Sequence, residues 1–361
     1  MPGEPIRPPD AAAASAAAAR QARLTKPAGA LGRLEDAASW LSAVQGGCPP
    51  VPFSRPALVI FAGDHGVART AATSAYPPEV TAQMVANFAV GGAAANVLAR
   101  QVGATVRVVD VSVDADPSYL DAIDPAISAD RVRRGSGSID REDAMTVAEA
   151  VTSLALGARL ADELADAGAD VLIAGDMGIG NTTPAATIIG LVTGHDADTV
   201  TGRGTGIDDA TLHRKRDAVA AAMARGAGDV NDPTLLLARV GSPDIAAMAG
   251  YLRRAAERGL PVVLDGIVSC SAALVAERIA PGCRDWWIAG HRSTEPASRV
   301  ALAGLGLTPL LDLDLRLGEG TGALLALPLL NAAAVTLAEM ATFDSAGVSD
   351  RETAAEPGSD A

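Results

Sequence analysis

The sequence predicts an α/β protein built on a mainly parallel sheet of six strands with helices between them. Three observations lead there. Six short segments rich in Val, Ile and Leu, bounded by Gly or Asp, show little alternation of apolar and polar residues. Strands buried on both faces read this way. Helical stretches lie between them, the arrangement that sets parallel strands side by side. Polar residues interrupting the apolar context fall just after these strands, and open α/β sheets bind ligands outside the carboxyl ends of their strands.

In chain order the strands are ALVIFAG (57–63), TVRVVDV (105–111), DVLIAG (170–175), PVVLDG (261–266), DWWIAG (285–290) and TPLLDL (308–313). Helical stretches include EVTAQMVANFAVGGAAANVLARQ (79–101), AEAVTSLALGARLADELADAG (148–168) and SAALVAERIA (271–280). Residues 114–142, rich in Asp, Ser and Arg, read as a loop insertion. Residues 1–20 and 345–361 are expected to be disordered ends, the latter on composition.

The chain has 361 residues, 49% hydrophobic and 3% aromatic, so a large core must be built from Ala, Val, Leu and Ile. A net charge of −14 argues against a nucleic-acid or acidic-membrane partner. It leaves room for an anionic small substrate, which needs only backbone N–H groups and one or two cations. Three cysteines without a CxxC pair read as reduced and cytoplasmic, and the N-terminus lacks the apolar run of a signal peptide. The apolar run after Gly322 is interrupted by Pro328 and Asn331. It is expected to fall short of a membrane span and to form a buried helix.

The strand ends carry the candidate chemistry. The first runs into Gly63-Asp64-His65-Gly66, a structural pair or an acid–base group. The third runs into GDMGIGNTTPAA (175–186), a strand–glycine loop–helix passage. Its Asn181, Thr182 and Thr183 suit an N-cap, and its free N–H groups suit a phosphate. A tight turn explains the same spacing equally well. GRGTGIDDATLHRK (202–215) is a second glycine loop, with Lys215 on the helix that follows. In LGEGTGALLALPLLNAAA (317–334) Glu319 is the one charged residue, set between two glycines. It is a solvated loop glutamate or a carboxylate held for its chemistry. Four histidines without HxH or HExxH spacing give no metal site.

Together KPAGALGRLE, FAGDHGVA, YPPEVTAQMV, GDMGIGNTTPAA, GRGTGIDD, VLDG, AGHRS and LRLGEGTGA, in this order from Lys26 to Met340, resemble the nicotinate-nucleotide–dimethylbenzimidazole phosphoribosyltransferase family of cobalamin synthesis. The resemblance implies a six-stranded Rossmann-like large domain (51–319) and a small helical domain from both chain ends (21–50 and 320–344), in a homodimer. It implies transfer of the phosphoribosyl group of nicotinate mononucleotide to 5,6-dimethylbenzimidazole, without metal or cofactor. Glu319 falls at the proposed base, and Asp176 at a second acidic position where the family usually has Glu. Gly178, Gly180, Asn181, Thr182, Gly204, Lys215, Asp265 and Ser293 are then expected to hold the nucleotide and phosphate. Ser74, Tyr76, Gln83, Met177 and Leu317 are expected to line the base pocket. Another base acceptor (adenine, a phenolic compound or another benzimidazole) and a non-catalytic nucleotide-binding protein are the alternatives.

Overall fold

The structure is a computed structural model that describes residues 6–349. The chain packs as two units. The larger comprises residues 6–8 and Phe53–Leu327, the smaller Pro9–Pro52 and residues 328–349. The breaks thus fall near 9, 53 and 328, against expected breaks at 21, 51 and 320. The last lies inside one continuous helix, Thr321–Glu339, at Pro328, whose ring and missing N–H interrupt the helical hydrogen-bond ladder.

The larger unit holds a parallel sheet of five strands: β1 (Pro56–Gly63), β2 (Thr105–Ser112), β3 (Val171–Met177), β4 (Val262–Leu264) and β5 (Trp287–Ala289), in spatial order β2-β1-β3-β4-β5. The expected sixth strand, 308–313, is corrected. Leu310 and Leu311 donate to Ala289 O and Gly290 O at 3.0 Å each, but one isolated bridge, His291 with Leu311, is all that forms. Pro309 has no N–H to extend a ladder, and Leu313 is 55% exposed, unlike a strand buried on both faces.

Strand order reverses between β1 and β3, the crevice where open α/β sheets bind ligands. With few aromatics, close backbone approach fills the core. The helices Val147–Asp166 and Pro243–Glu257 pack where a Cβ on Gly157 would lie 1.7 Å from Ala247 O, and one on Gly250 2.0 Å from Leu154 O. Tyr251 meets Phe61 edge-on at 5.4 Å, fixing the second helix to β1.

Three further expectations are corrected. Ala11–Gln21, placed in a disordered N-terminus, is a helix: alanine is the best helix former, and Asp10 caps it at Ala12 N (2.8 Å) and Ala13 N (3.0 Å). The 79–101 stretch breaks at Gly91-Gly92 into Val80–Ala89 and Ala94–Val102. The Thr321–Glu339 helix, expected to fall short of a span, is at 19 residues and mean hydropathy 1.7 long and apolar enough for one by length and composition alone; its Leu324, Leu327, Leu330 and Leu337 are buried, as the expected buried helix requires. At the C-terminus, residues 343–346 form a short helix, and 350–361 lie outside the described residues.

Candidate active site

Gly318, Glu319 and Gly320 have φ of 82°, 62° and 82°, three successive residues in the left-handed region. A side chain there costs about 1 kcal/mol or more, which the flanking glycines avoid. The surroundings hold the turn in place. Glu319 passes over β3 at Gly175, where a Cβ would lie 2.6 Å from its carbonyl carbon. Buried Asp265, at the end of β4, accepts from Gly320 N at 3.1 Å through Oδ2. Its Oδ1 accepts from Gly322 N (2.8 Å) and Ala323 N (3.1 Å). A helix start leaves its first N–H groups unsatisfied, so Asp265 caps Thr321–Glu339 from another strand. His291 Nε2 lies 3.4 Å from Oδ1.

The two carboxylates end up with opposite tendencies. Burial raises Asp265, but the His291 ring and the amides of Ala323 and Gly320 outweigh it and hold the group below the usual range. Burial, then the charge of Asp265, pushes Glu319 up to about 7, with the Ala95 amide opposing. Glu319 is 4% exposed and its Oε2 has no partner.

Asp176 is the penultimate residue of β3, just ahead of the first glycine loop. Burial and the carboxylates of Asp265 and Asp244 raise it well above its ordinary value, favouring the protonated form. The Asn181 side chain, expected to cap the next helix, donates to Asp176 Oδ2 instead. No side chain caps Thr182–Thr193, but the free amides expected there are corrected: Thr183 N donates to Gly180 O at 3.0 Å and Pro184 has no N–H, leaving at most the Thr182 amide, with the helix dipole, to face the loop. The loop lies flat on the end of β1: a Cβ on Gly178 would lie 2.0 Å from Gly63 O and 2.8 Å from His65 Nε2. Thr81 Oγ1 accepts from Ile179 N (3.1 Å) and donates to Asp64 Oδ1 (2.7 Å). Asp64 and His65 are thus buried supports beneath the loop. Burial pushes Asp64 up to about 6.

Lys215 reaches in from the helix Asp209–Gly226 and is 1% exposed. Its Nζ donates to Thr182 Oγ1 (2.7 Å) and Gly202 O (3.0 Å), bridging the two glycine loops. Burial lowers its pKa, against the pull of Glu295.

These pieces enclose a cavity of about 620 Å³, the size of a small-molecule site. Glu319, Asp176, Met177, Leu317, Ser74 and Tyr76 line it. So do Gly178, Gly180, Asn181, Thr182, Gly204, Lys215 and Ser293. Two expectations are corrected. Gln83 is exposed and turned away, whereas Val80 and Met84, one helical turn apart, form the wall. Asp265 is spent on backbone amides and does not line the cavity. Arg203, Arg316, His291 and Glu295 also line it and were not assigned from sequence. Both arginines sit inside the quoted glycine motifs, and Arg316 donates to Gly204 O at 3.3 Å. Glu295 had no spacing signal. Among the described residues no group of three His, Cys, Asp or Glu side chains is arranged to hold a metal ion.

A family model described as phosphoribosyltransferase matches residues 6–348. The nicotinate-nucleotide–dimethylbenzimidazole phosphoribosyltransferase of Mycobacterium avium (strain 104) is 57% identical over 345 residues, 96% of this chain and 97% of that one. The protein of the same name from Mycobacterium tuberculosis is 56% identical over 347 residues, 96% and 94% of the two chains. The crystal structure of CobT from Thermus thermophilus superposes with a TM-score of 0.87 at 46% identity, covering 94% of this chain and 99% of that one.

Proposed function

The chain belongs to the nicotinate-nucleotide–dimethylbenzimidazole phosphoribosyltransferase family, and from that premise we propose how its cavity performs the transfer. Nicotinate mononucleotide and 5,6-dimethylbenzimidazole give α-ribazole 5′-phosphate and nicotinate, a step of cobalamin synthesis. One benzimidazole nitrogen attacks the ribose C1′ as the bond to the nicotinate nitrogen breaks. The electron pair leaves with the pyridine ring, which needs no acid. Attack from the opposite face turns the β linkage into α. The other benzimidazole nitrogen gives its proton to Glu319.

The observation that carries this reading is Glu319 itself: buried, raised to about 7, one oxygen without a partner, and facing the cavity. A base whose pKa lies near working pH is well matched to the task. Asp176, favoured in its protonated form, is a hydrogen-bond donor to the reacting rings or their substituents. Met177, Leu317 and Tyr76 offer the flat, apolar base its slot. The open end of Thr182–Thr193, Gly204, Lys215 and Ser293 take the 5′-phosphate. Positioning the two substrates supplies much of the acceleration.

The family resemblance supports a homodimer. The free state of Cys48, Cys270 and Cys283 supports a reducing, cytoplasmic setting. Purified protein with both substrates is expected to release nicotinate, followed by chromatography. Release no greater than that of a Glu319→Ala control would sink the reading.

A further inference from the structure

We propose that Glu295 is a positioning residue: its carboxylate sustains the charge of Lys215 and pins the second glycine loop beside it, so that the cavity offers a buried cation to the substrate phosphate. This rests on the phosphoribosyl reading above.

A fully buried ammonium needs a counter-charge, and dipoles alone serve it poorly. Lys215 spends two of its three N–H groups on Thr182 Oγ1 and Gly202 O, both neutral. Of the charged groups around it, Arg316 also meets the loop, donating to Gly204 O at 3.3 Å, and adds a second cation there; those that follow are engaged elsewhere. The Thr182–Thr193 helix carries no titratable side chain. Asp198, on the helix Ala197–Val200, faces Arg216 at 3.7 Å. Arg239, on the helix Pro233–Val240, pairs with Asp143 and Asp229 at 3.0 Å each. Arg203 of the loop pairs with Asp209. Among the described residues, Glu295 is the carboxylate whose charge acts on Lys215.

Glu295 is 6% exposed. Its Oε1 accepts from Gly204 N at 2.7 Å, and its Oε2 has no partner. Gly202 lies flat against the carboxylate: a Cβ there would come 2.4 Å from Oε2 and 2.6 Å from Cδ. The carbonyl of the same glycine takes the Lys215 bond. Residue 202 is therefore held between anion and cation, and a Cβ there would displace the Glu295 carboxylate. Because Glu295 acts through the field and takes no N–H of Lys215, the third N–H stays available to a phosphate oxygen.

Two variants separate charge from contact. Glu295→Gln keeps an oxygen for Gly204 N and removes the charge. Glu295→Asp keeps the charge and withdraws it from Gly204. The KM for nicotinate mononucleotide and the inhibition constant of inorganic phosphate are measured on the full chain from about pH 6 to about pH 9. With Gln, both are expected to rise about tenfold near the alkaline end and to return within about twofold of the parent near the acid end, where Lys215 regains its proton. With Asp, both follow the parent's pH dependence. Parent values for the Gln variant at every pH, or an equal loss at every pH, overturn the proposal; the latter is what a purely structural role gives. If the Gln variant does not fold, a pH-dependent loss in the Asp variant overturns it equally. A parent that releases no nicotinate overturns the phosphoribosyl reading instead, and phosphate binding, followed by calorimetry, still reports on Lys215.

Discussion

Two helices open on the cavity, and their first turns are finished differently. At Thr321–Glu339 the protein closes the end itself, with one carboxylate of Asp265 taking three amides. At Thr182–Thr193 no side chain closes it: Asn181 looks back to Asp176, Gly180 O takes the Thr183 amide, Pro184 has none, and only the Thr182 amide is left beside the dipole. An end that already holds an anion has no room for another; an open one attracts it. The chain thereby separates two tasks. The closed end presents Glu319 rigidly, and the open end is left for phosphate.

Substitutions test that division. The largest effect is expected at the closed end: Glu319→Gln should keep the fold and lose about 10³ in turnover, within the range for removing a positioned general base. Turnover equal to the parent's would return Glu319 to an ordinary loop residue. Next, Asp265→Ala leaves three amides without an acceptor and should cost about 3 kcal/mol, measured by urea unfolding. Turnover should fall with it, because Glu319 loses its support.

The third test uses pH. The folded-state pKa of Glu319, about 7, lies above its ordinary 4.5. Between these values the folded chain keeps a proton the unfolded chain has lost, so stability falls as pH rises through this window, by up to about 3 kcal/mol. Glu319→Gln should therefore melt with the parent near pH 4.5 and above it near pH 8. A constant difference would mean that burial does not penalise the ionised side chain. Asp265, held low, runs the other way, its contribution lost only as pH falls into the acid range.

The smallest effect belongs to the open end. Asn181→Ala should cost about 1 kcal/mol of stability at most, since no helix cap is removed. Its main consequence should be a raised KM for nicotinate mononucleotide. A large loss of stability would show that this end is closed by the protein after all.

Much of this was legible in the sequence because strand ends are marked by composition. The glycines around Glu319 announced backbone approach, and the strand-to-helix passages put Asp176, Gly178 and Lys215 at one edge. The limits were physical. Pro309 removed a ladder donor from a segment that otherwise reads as a strand. Gln83 differs from Val80 and Met84 only by its angle around a helix, which a motif does not encode. Asp265 carries a strand-end signature whether its carboxylate turns to ligand or to backbone. Glu295 gained its place from tertiary packing against Gly202, with no local pattern to mark it.

The seam between Val147–Asp166 and Pro243–Glu257 has a consequence for heredity. Any single-base change in a glycine codon that alters the residue introduces a Cβ or a stop. At Gly157 and Gly250 that carbon would land on a neighbouring carbonyl oxygen. No graded series of alternatives leads away from these two positions, so drift elsewhere in the helices must take place around a pair of fixed points.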